Sequence, residues 1–281
     1  MSKIKIITDS TADIPKQLRE KLNIDIIPLY VTIGEKTYKD TLEIDFKKLY
    51  ELVDYYNELP KSSAPSVYDF TETFKRYINE GYEIIFFSIS SELSATYQNA
   101  CIAAKEVSPE KISIVDSRNL SLGIGILAIE AAEMALEGFS RESIIERINL
   151  LIPKVRGSFV IETLRYLHMG GRCSSVQMLA GSLLKIQPQI VVENGFMHVG
   201  TKYRGNKEKV LTQYFSDFIE NRSFYKGRLI LGHSECINGL QLLKDKSEKI
   251  SNVKEIIFFD AGAVISTHCG PGTVGVFYIE D

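Results

Sequence analysis

Cysteine is scarce in this 281-residue chain: Cys101, Cys173, Cys236 and Cys269 stand far apart, with no Cys-x-x-Cys pair. Neither a zinc knuckle nor a disulfide framework is indicated, and reduced thiols are expected. No apolar run approaches the roughly 18 to 20 residues that cross a bilayer. The start, Met1-Ser2-Lys3-Ile4-Lys5, enters a strand-like segment rather than a signal peptide, so a soluble, cytoplasmic protein is expected. The sequons at Asn119 and Asn221 would matter only in a secreted chain and are set aside. An excess of one charge is missing too. Lys and Arg number 33 against 36 Asp and Glu, a formal charge of -3 with both signs interspersed. Without a basic stripe to neutralise phosphates, nucleic acid is not an expected partner.

Nucleotide and metal machinery are equally lacking. There is no Walker A segment, and the four histidines show no close pairing suited to a metal, so no cofactor is expected. Gly270, Gly272 and Gly275 spell Gly-x-Gly-x-x-Gly, but a strand follows where a dinucleotide site needs a helix. Gly232-His233-Ser234-Glu235-Cys236 follows a strand yet lacks the second glycine of a nucleophile elbow.

What is present is a 44% hydrophobic composition, enough for one large or two medium domains. Periodicity gives strand Lys3–Ile7, helix Pro15–Leu22, a β-rich run Ile24–Ile33 turned by Gly34, and helix Asp45–Tyr56. Helix Val67–Ile78, capped by Ser66, precedes strand Ile84–Ile89, helix Leu93–Val107, strand Ile112–Val115 and helix Leu120–Leu136. Alternating strands and helices imply a largely parallel sheet. After helix Arg141–Leu151 the pattern changes. The second half reads as a strand starting at Ser158–Ile161, helix Val176–Leu184, strand Gln189–Val192, an Asn194-Gly195 hairpin turn and helix Asn206–Phe218. Strands Arg228–Gly232, Glu255–Phe259, Ala263–Thr267 and Thr273–Ile279 close the chain, with helix Asn238–Lys246 between the first two. The reading is an α/β protein of two domains, 1–155 and 156–281, the second mixed, with a cleft between them.

Strands of the first half end in hydroxyl-rich loops: Thr8-Asp9-Ser10-Thr11, Ser62-Ser63, Ser88 to Ser94 with Thr96, and Asp116-Ser117. Ligands of open α/β sheets collect at such carboxyl ends, and hydroxyls with helix N-terminal amides suit a carboxylate or phosphate. The same residues also fit helix caps and turns, and only their recurrence favours a site. Thr267-His268-Cys269-Gly270-Pro271-Gly272 sets His268 after an expected strand and before a rigid turn, the most site-like of the four histidines. Arg172 in Gly170-Gly171-Arg172 and Arg204 in Tyr203-Arg204-Gly205 fit either a partner surface or a helix start.

Read in order, these segments resemble the DegV family. Thr8-Asp9-Ser10-Thr11-Ala12-Asp13-Ile14-Pro15, Ser62-Ser63-Ala64-Pro65-Ser66 and Ser90-Ser91-Glu92-Leu93-Ser94-Ala95-Thr96-Tyr97-Gln98 are the first landmarks. Asp116-Ser117 with Gly123 and Gly125, Leu167 to Arg172, Leu184-Lys185-Ile186-Gln187-Pro188, and Ile265 to Gly272 follow in family order. The resemblance implies a two-domain α/β protein that holds a long-chain fatty acid and, in bacteria, serves as the binding subunit of a fatty acid kinase in phospholipid metabolism. It places Ser62, Ser94 and His268 on the fatty-acid carboxylate and Ser63 as a second contact. Arg172 falls toward the ligand end and Arg204 on a kinase-facing surface, with no residue in covalent catalysis. The sequence departs from the family pattern at Ser62 for threonine, Ala95 for glycine and Cys269 for threonine. Ala95 adds a methyl beside the head-group loop, which matters if that position needs φ above zero.

Two other functions use the same residues. A free-standing esterase or acyl-transfer enzyme would pair Ser94 with His268 and recruit Asp9 or Asp116 to orient the base. A lipid sensor would share the ligand and act on a different partner.

Overall fold

The computed structural model describes residues 3–177 and 186–281. The chain opens with β1 (Lys3–Asp9), α1 (Lys16–Leu22), β2 (Ile24–Ile27), β3 (Tyr30–Ile33), β4 (Lys36–Lys39), α2 (Phe46–Tyr56) and β5 (Lys61–Ser63). Next come α3 (Val67–Asn79), β6 (Tyr82–Ser88), α4 (Thr96–Val107), β7 (Ile112–Asp116), α5 (Leu122–Leu136) and α6 (Arg141–Leu151). From there run β8 (Val155–Val160), α7 (Arg165–Gly170), α8 (Ser174–Gln177), β9 (Gln187–Glu193), β10 (Phe196–Tyr203) and α9 (Lys207–Ile219). The chain closes with β11 (Arg228–Ser234), α10 (Ile237–Ser247), β12 (Glu255–Asp260), α11 (Ala263–Cys269) and β13 (Thr273–Ile279).

Three sheets result. The first, β2-β1-β6-β7, is parallel throughout, as the alternation of strand and helix requires. A six-stranded sheet, β10-β9-β8-β13-β11-β12, is antiparallel except for the β11–β12 pair. A small antiparallel sheet, β4-β3-β5, stands apart.

Period-two alternation decides which core each strand side chain enters. In β6, Ile85 and Phe87 face one cluster while Ile84 and Phe86 face another. In β13, Phe277 and Ile279 join the first of these, while Val274, Val276 and Tyr278 turn to the outer layer beside α9 and α10. The shared cluster surrounds α5, which touches β1 and β6 on one side and β8 and β13 on the other. Every residue of α5 from Leu122 to Ala132 is buried, the mark of a helix enclosed on all sides. Gly125 permits that closeness, since a Cβ there would stand 2.8 Å from the Ala12 carbonyl oxygen.

Several sequence-based expectations need correction. The β-rich run Ile24–Ile33 is two strands in different sheets, split at Pro28-Leu29. Ser62 and Ser63 lie on β5, opposite Val31 and Tyr30, rather than in a loop at a strand end. Ala263–Thr267 is not a strand but most of α11. Its β-branched residues favour a strand, yet its first amides meet a carboxylate from far away in sequence, and tertiary context overrides local preference. Of the expected helix Val176–Leu184, Val176 and Gln177 end α8, and 178–184 lie outside the described residues. Leu184-Lys185 of the later motif lies outside them too.

That carboxylate is Asp40. Its Oδ1 accepts from the amides of Ala263 (2.8 Å) and Val264 (3.3 Å), and its Oδ2 from the Ser10 hydroxyl (2.7 Å). Beside it, Asp13 accepts from the Gly262 amide (2.9 Å) and the Ser121 hydroxyl (2.6 Å). Both are buried, and burial pushes Asp40 up to about 6 and Asp13 well above the usual carboxylate range. Asp9, also pushed up to about 6 by burial, completes the group by accepting from the amides of Thr11 and Ile89.

Asp40→Ala strips the acceptor from two helix amides and a hydroxyl and should lower the unfolding free energy by about 2–4 kcal/mol in urea. Folded Asp40 holds its proton where an unfolded aspartate, near the ordinary 3.9, has lost it. That stabilising contribution is full below about pH 4 and lost as pH rises through 6. The stability of Asp40→Asn relative to the native protein should therefore improve by on the order of 1 kcal/mol per pH unit from pH 4 to 6. A flat difference over that range would show the carboxyl titrating normally.

Candidate functional site

Against the inner face of the six-stranded sheet, between α11 and the segments leading into α4 and α5, lies a cavity of about 210 Å³. The walls are apolar for most of their length: Leu29, Ile89, Leu93 and Leu120 on one side, Phe159 and Phe277 on the other. Two glycines open the floor. Gly232 of β11 and Gly275 of β13 are paired in register, so two adjacent sheet positions carry no side chain. Phe159 and Phe259 flank them in the same cross-strand row.

Polar groups gather where α11 ends. His268 Nε2 lies 2.8 Å from Ser62 Oγ, which joins residues 206 positions apart. Ser63, Ser94 and Arg172 line the same cavity. The ring of His268 is backed by Gly170, where a Cβ would stand 2.3 Å from Nδ1. Nδ1 itself is buried and has no hydrogen-bond partner among the described residues. Burial first, and then the Arg172 guanidinium, lower this imidazole to about 4, so it is neutral at physiological pH. Arg172 is exposed and donates to the Gly170 carbonyl at 2.6 Å, which fixes its stem at the turn after α7.

Ser94 precedes α4. Its Oγ pairs with Thr96 Oγ1 at 2.8 Å and accepts from the Thr96 amide at 3.3 Å. Ala95 sits at φ −72°, an ordinary right-handed conformation, so its extra methyl costs no backbone strain and simply adds to the cavity wall. Cys269 lines the cavity as a buried thiol pushed up to about 12, which leaves it protonated. Arg204, by contrast, is exposed beyond β10 and does not line the cavity.

The arrangement offers hydroxyls and a neutral imidazole at the end of an apolar chamber. The serine–histidine contact it makes is Ser62 with His268, not the Ser94–His268 pair of the esterase reading. Ser94 bonds Thr96 rather than His268, and neither candidate acid reaches the ring: Asp9 binds Thr11 and Ile89, and Asp116 binds Ser91 and Arg118. Among the described residues, no group of three or more His, Cys, Asp or Glu is placed to hold a metal, and no helix is long and apolar enough to cross a membrane.

The model of the family described as uncharacterised DegV proteins matches residues 3–281. The chain belongs to the DegV family. A DegV domain-containing protein of Clostridium acetobutylicum is 36% identical over 281 residues, covering 100% of this chain and 99% of its own. A DegV family protein of Thermus thermophilus, whose solved structure is described as fatty acid binding, is 30% identical with a TM-score of 0.91 and full coverage of both chains. DegV of Bacillus subtilis, described as a fatty acid binding protein, is 32% identical with a TM-score of 0.86, again over the whole of both. The parallel first sheet and mixed second sheet are thus the DegV architecture.

Gly170, Asp40 and the glycine floor carry no signal in a single sequence read locally. The His268 environment is testable directly. In ring-nitrogen NMR this imidazole should remain neutral down to about pH 4. Titration near the ordinary 6.5 would mean that water reaches the ring.

Proposed function

We propose that this DegV protein holds one long-chain fatty acid, its carboxylate at Ser62, Ser94 and His268, and presents that end to a separate fatty acid kinase. The carrying observation is the apolar cavity that ends in the Ser62–His268 pair. Relatives described as fatty acid binding over their whole length support the ligand class, and a stearic acid-binding relative of Eubacterium ventriosum, 25% identical with a TM-score of 0.86, supports the chain length. We place the domain division at residue 155, where the chain leaves the parallel sheet for the mixed one. The protein would work in the cytoplasm, where a kinase and ATP are at hand.

Energetics assign different tasks to the two ends. Burying about fifteen CH₂ groups at about 0.8 kcal/mol each supplies on the order of 10 kcal/mol before association costs. A hydrogen bond to the charged carboxylate adds only about 1.5–3 kcal/mol. The tail therefore sets affinity and the head cluster sets direction. Because His268 is neutral, the cluster orients the carboxylate without cancelling its charge, and Arg172 at the rim adds positive potential toward solvent. A carboxylate held this way keeps a lone pair for an in-line partner. In the transfer, a carboxylate oxygen bonds the terminal phosphorus of ATP, the bridging P–O bond breaks, and ADP leaves with the electron pair. The ATP and its metal belong to the kinase, for which Arg204 offers an exposed contact away from the cavity.

The esterase reading loses the pair it needs, since Ser94 bonds Thr96 while His268 bonds Ser62, and Asp9 and Asp116 bind elsewhere. Native mass spectrometry of the protein made in bacteria should find one fatty acid per chain. Ser62→Ala/His268→Ala should weaken binding about ten- to a hundredfold while the tail still binds. With a cognate kinase, ATP and oleate, hydroxylamine should trap one acyl hydroxamate per ADP formed. ADP without hydroxamate, or neither product, would count against presentation.

A further inference from the structure

Resting on that reading, we infer that Phe259 is the partition that ends the acyl cavity and sets the longest tail this protein holds. Phe259 of β12 is paired in register with Gly232, and its ring lies across that glycine so closely that a Cβ on Gly232 would stand 1.9 Å from Cζ. Phe259 lines the acyl cavity and also a second, outer cleft of about 660 Å³ between α1, the start of α2 and the end of β12. Among the described residues only Phe259, His233 and Ala261 line both spaces, so these three separate them. This wall is remote from the head group. Val264, Ile265 and His268 of α11 all line the cavity, and at 1.5 Å per residue Ala261 lies on the order of 10 Å along it from His268.

The three wall residues are not equally fixed. His233 accepts at Nδ1 from the Cys236 amide at 3.0 Å, its Nε2 stands 3.0 Å from Asp260 Oδ1, and its ring centroid lies 5.9 Å from that of Phe46. Ala261 is backbone with a methyl, its amide bonded to the His233 carbonyl. Phe259, the largest of the three, is held through apolar contact. Beyond it the outer cleft mixes apolar side chains such as Ile14, Ile44, Phe46 and Phe258 with the charged Asp9, Asp13, Lys16, Lys47 and Asp260. While the Phe259 ring is in place, a tail that reaches it is cut off from that surface.

The test is a competition experiment by native mass spectrometry on delipidated full-length protein, using saturated acids from dodecanoate to docosanoate. In the native chain, affinity should rise about fourfold per added CH₂ and then level off at the length that meets Phe259. In Phe259→Ala the plateau should move to a longer acid, and in Phe259→Leu, which keeps an apolar side chain to hold the fold, to an intermediate one. A plateau at the same acid in both variants would overturn the role of Phe259 and leave fatty acid binding intact. A native protein that binds none of the series would instead remove the reading on which this inference rests.

Discussion

One carboxylate fixes the geometry on which the site depends. Asp40, between β4 and α2, reaches the first two amides of α11 and holds a seven-residue helix that has no side-chain cap of its own. Short helices are marginal alone, so this one persists because a distant group accepts from its free donors. Asp13 adds the Gly262 amide and ties the same loop to Ser121 at the start of α5. The helix thus hangs from the first half of the chain while its strand neighbours belong to the second sheet. His268 at its far end arrives opposite Ser62 as a consequence.

Burying three carboxylates together is unfavourable unless their oxygens are satisfied, and here each accepts at least two hydrogen bonds. Their raised pKa values show that the cost is only partly met. A fold optimised for stability alone would replace them with apolar residues. Here Asp13 and Asp40 hold α11 in one place, which sets His268 Nε2 at hydrogen-bond distance from Ser62 Oγ.

Much of the architecture was legible in the sequence because it is locally encoded. The apolar strands β1, β6 and β7 alternate with helices, and Ser66 caps α3 as its position implies. The errors share a physical cause. Val264, Ile265 and Thr267 read as a strand because their cap lies 223 residues away, and Ser62 read as loop because its strand partner, Val31, is in a separate small sheet. The motif resemblance singled out Ser62 and His268, which the structure brings within 2.8 Å, where spacing alone left site and turn open. The cavity was beyond reach: Gly232 and Gly275 become a floor only through register, and the apolar walls look like ordinary core.

On the proposed reading, α11 and β5 together point one end of a lipid outward and the other toward the glycine floor. A crystal structure of the protein loaded with a saturated fatty acid decides it. Carboxylate oxygens should lie within hydrogen-bond distance of Ser62 Oγ and His268 Nε2, with the tail running over Gly275 toward the Phe259 ring that covers Gly232. A tail lying the other way round, or seated in the outer cleft, would contradict that reading.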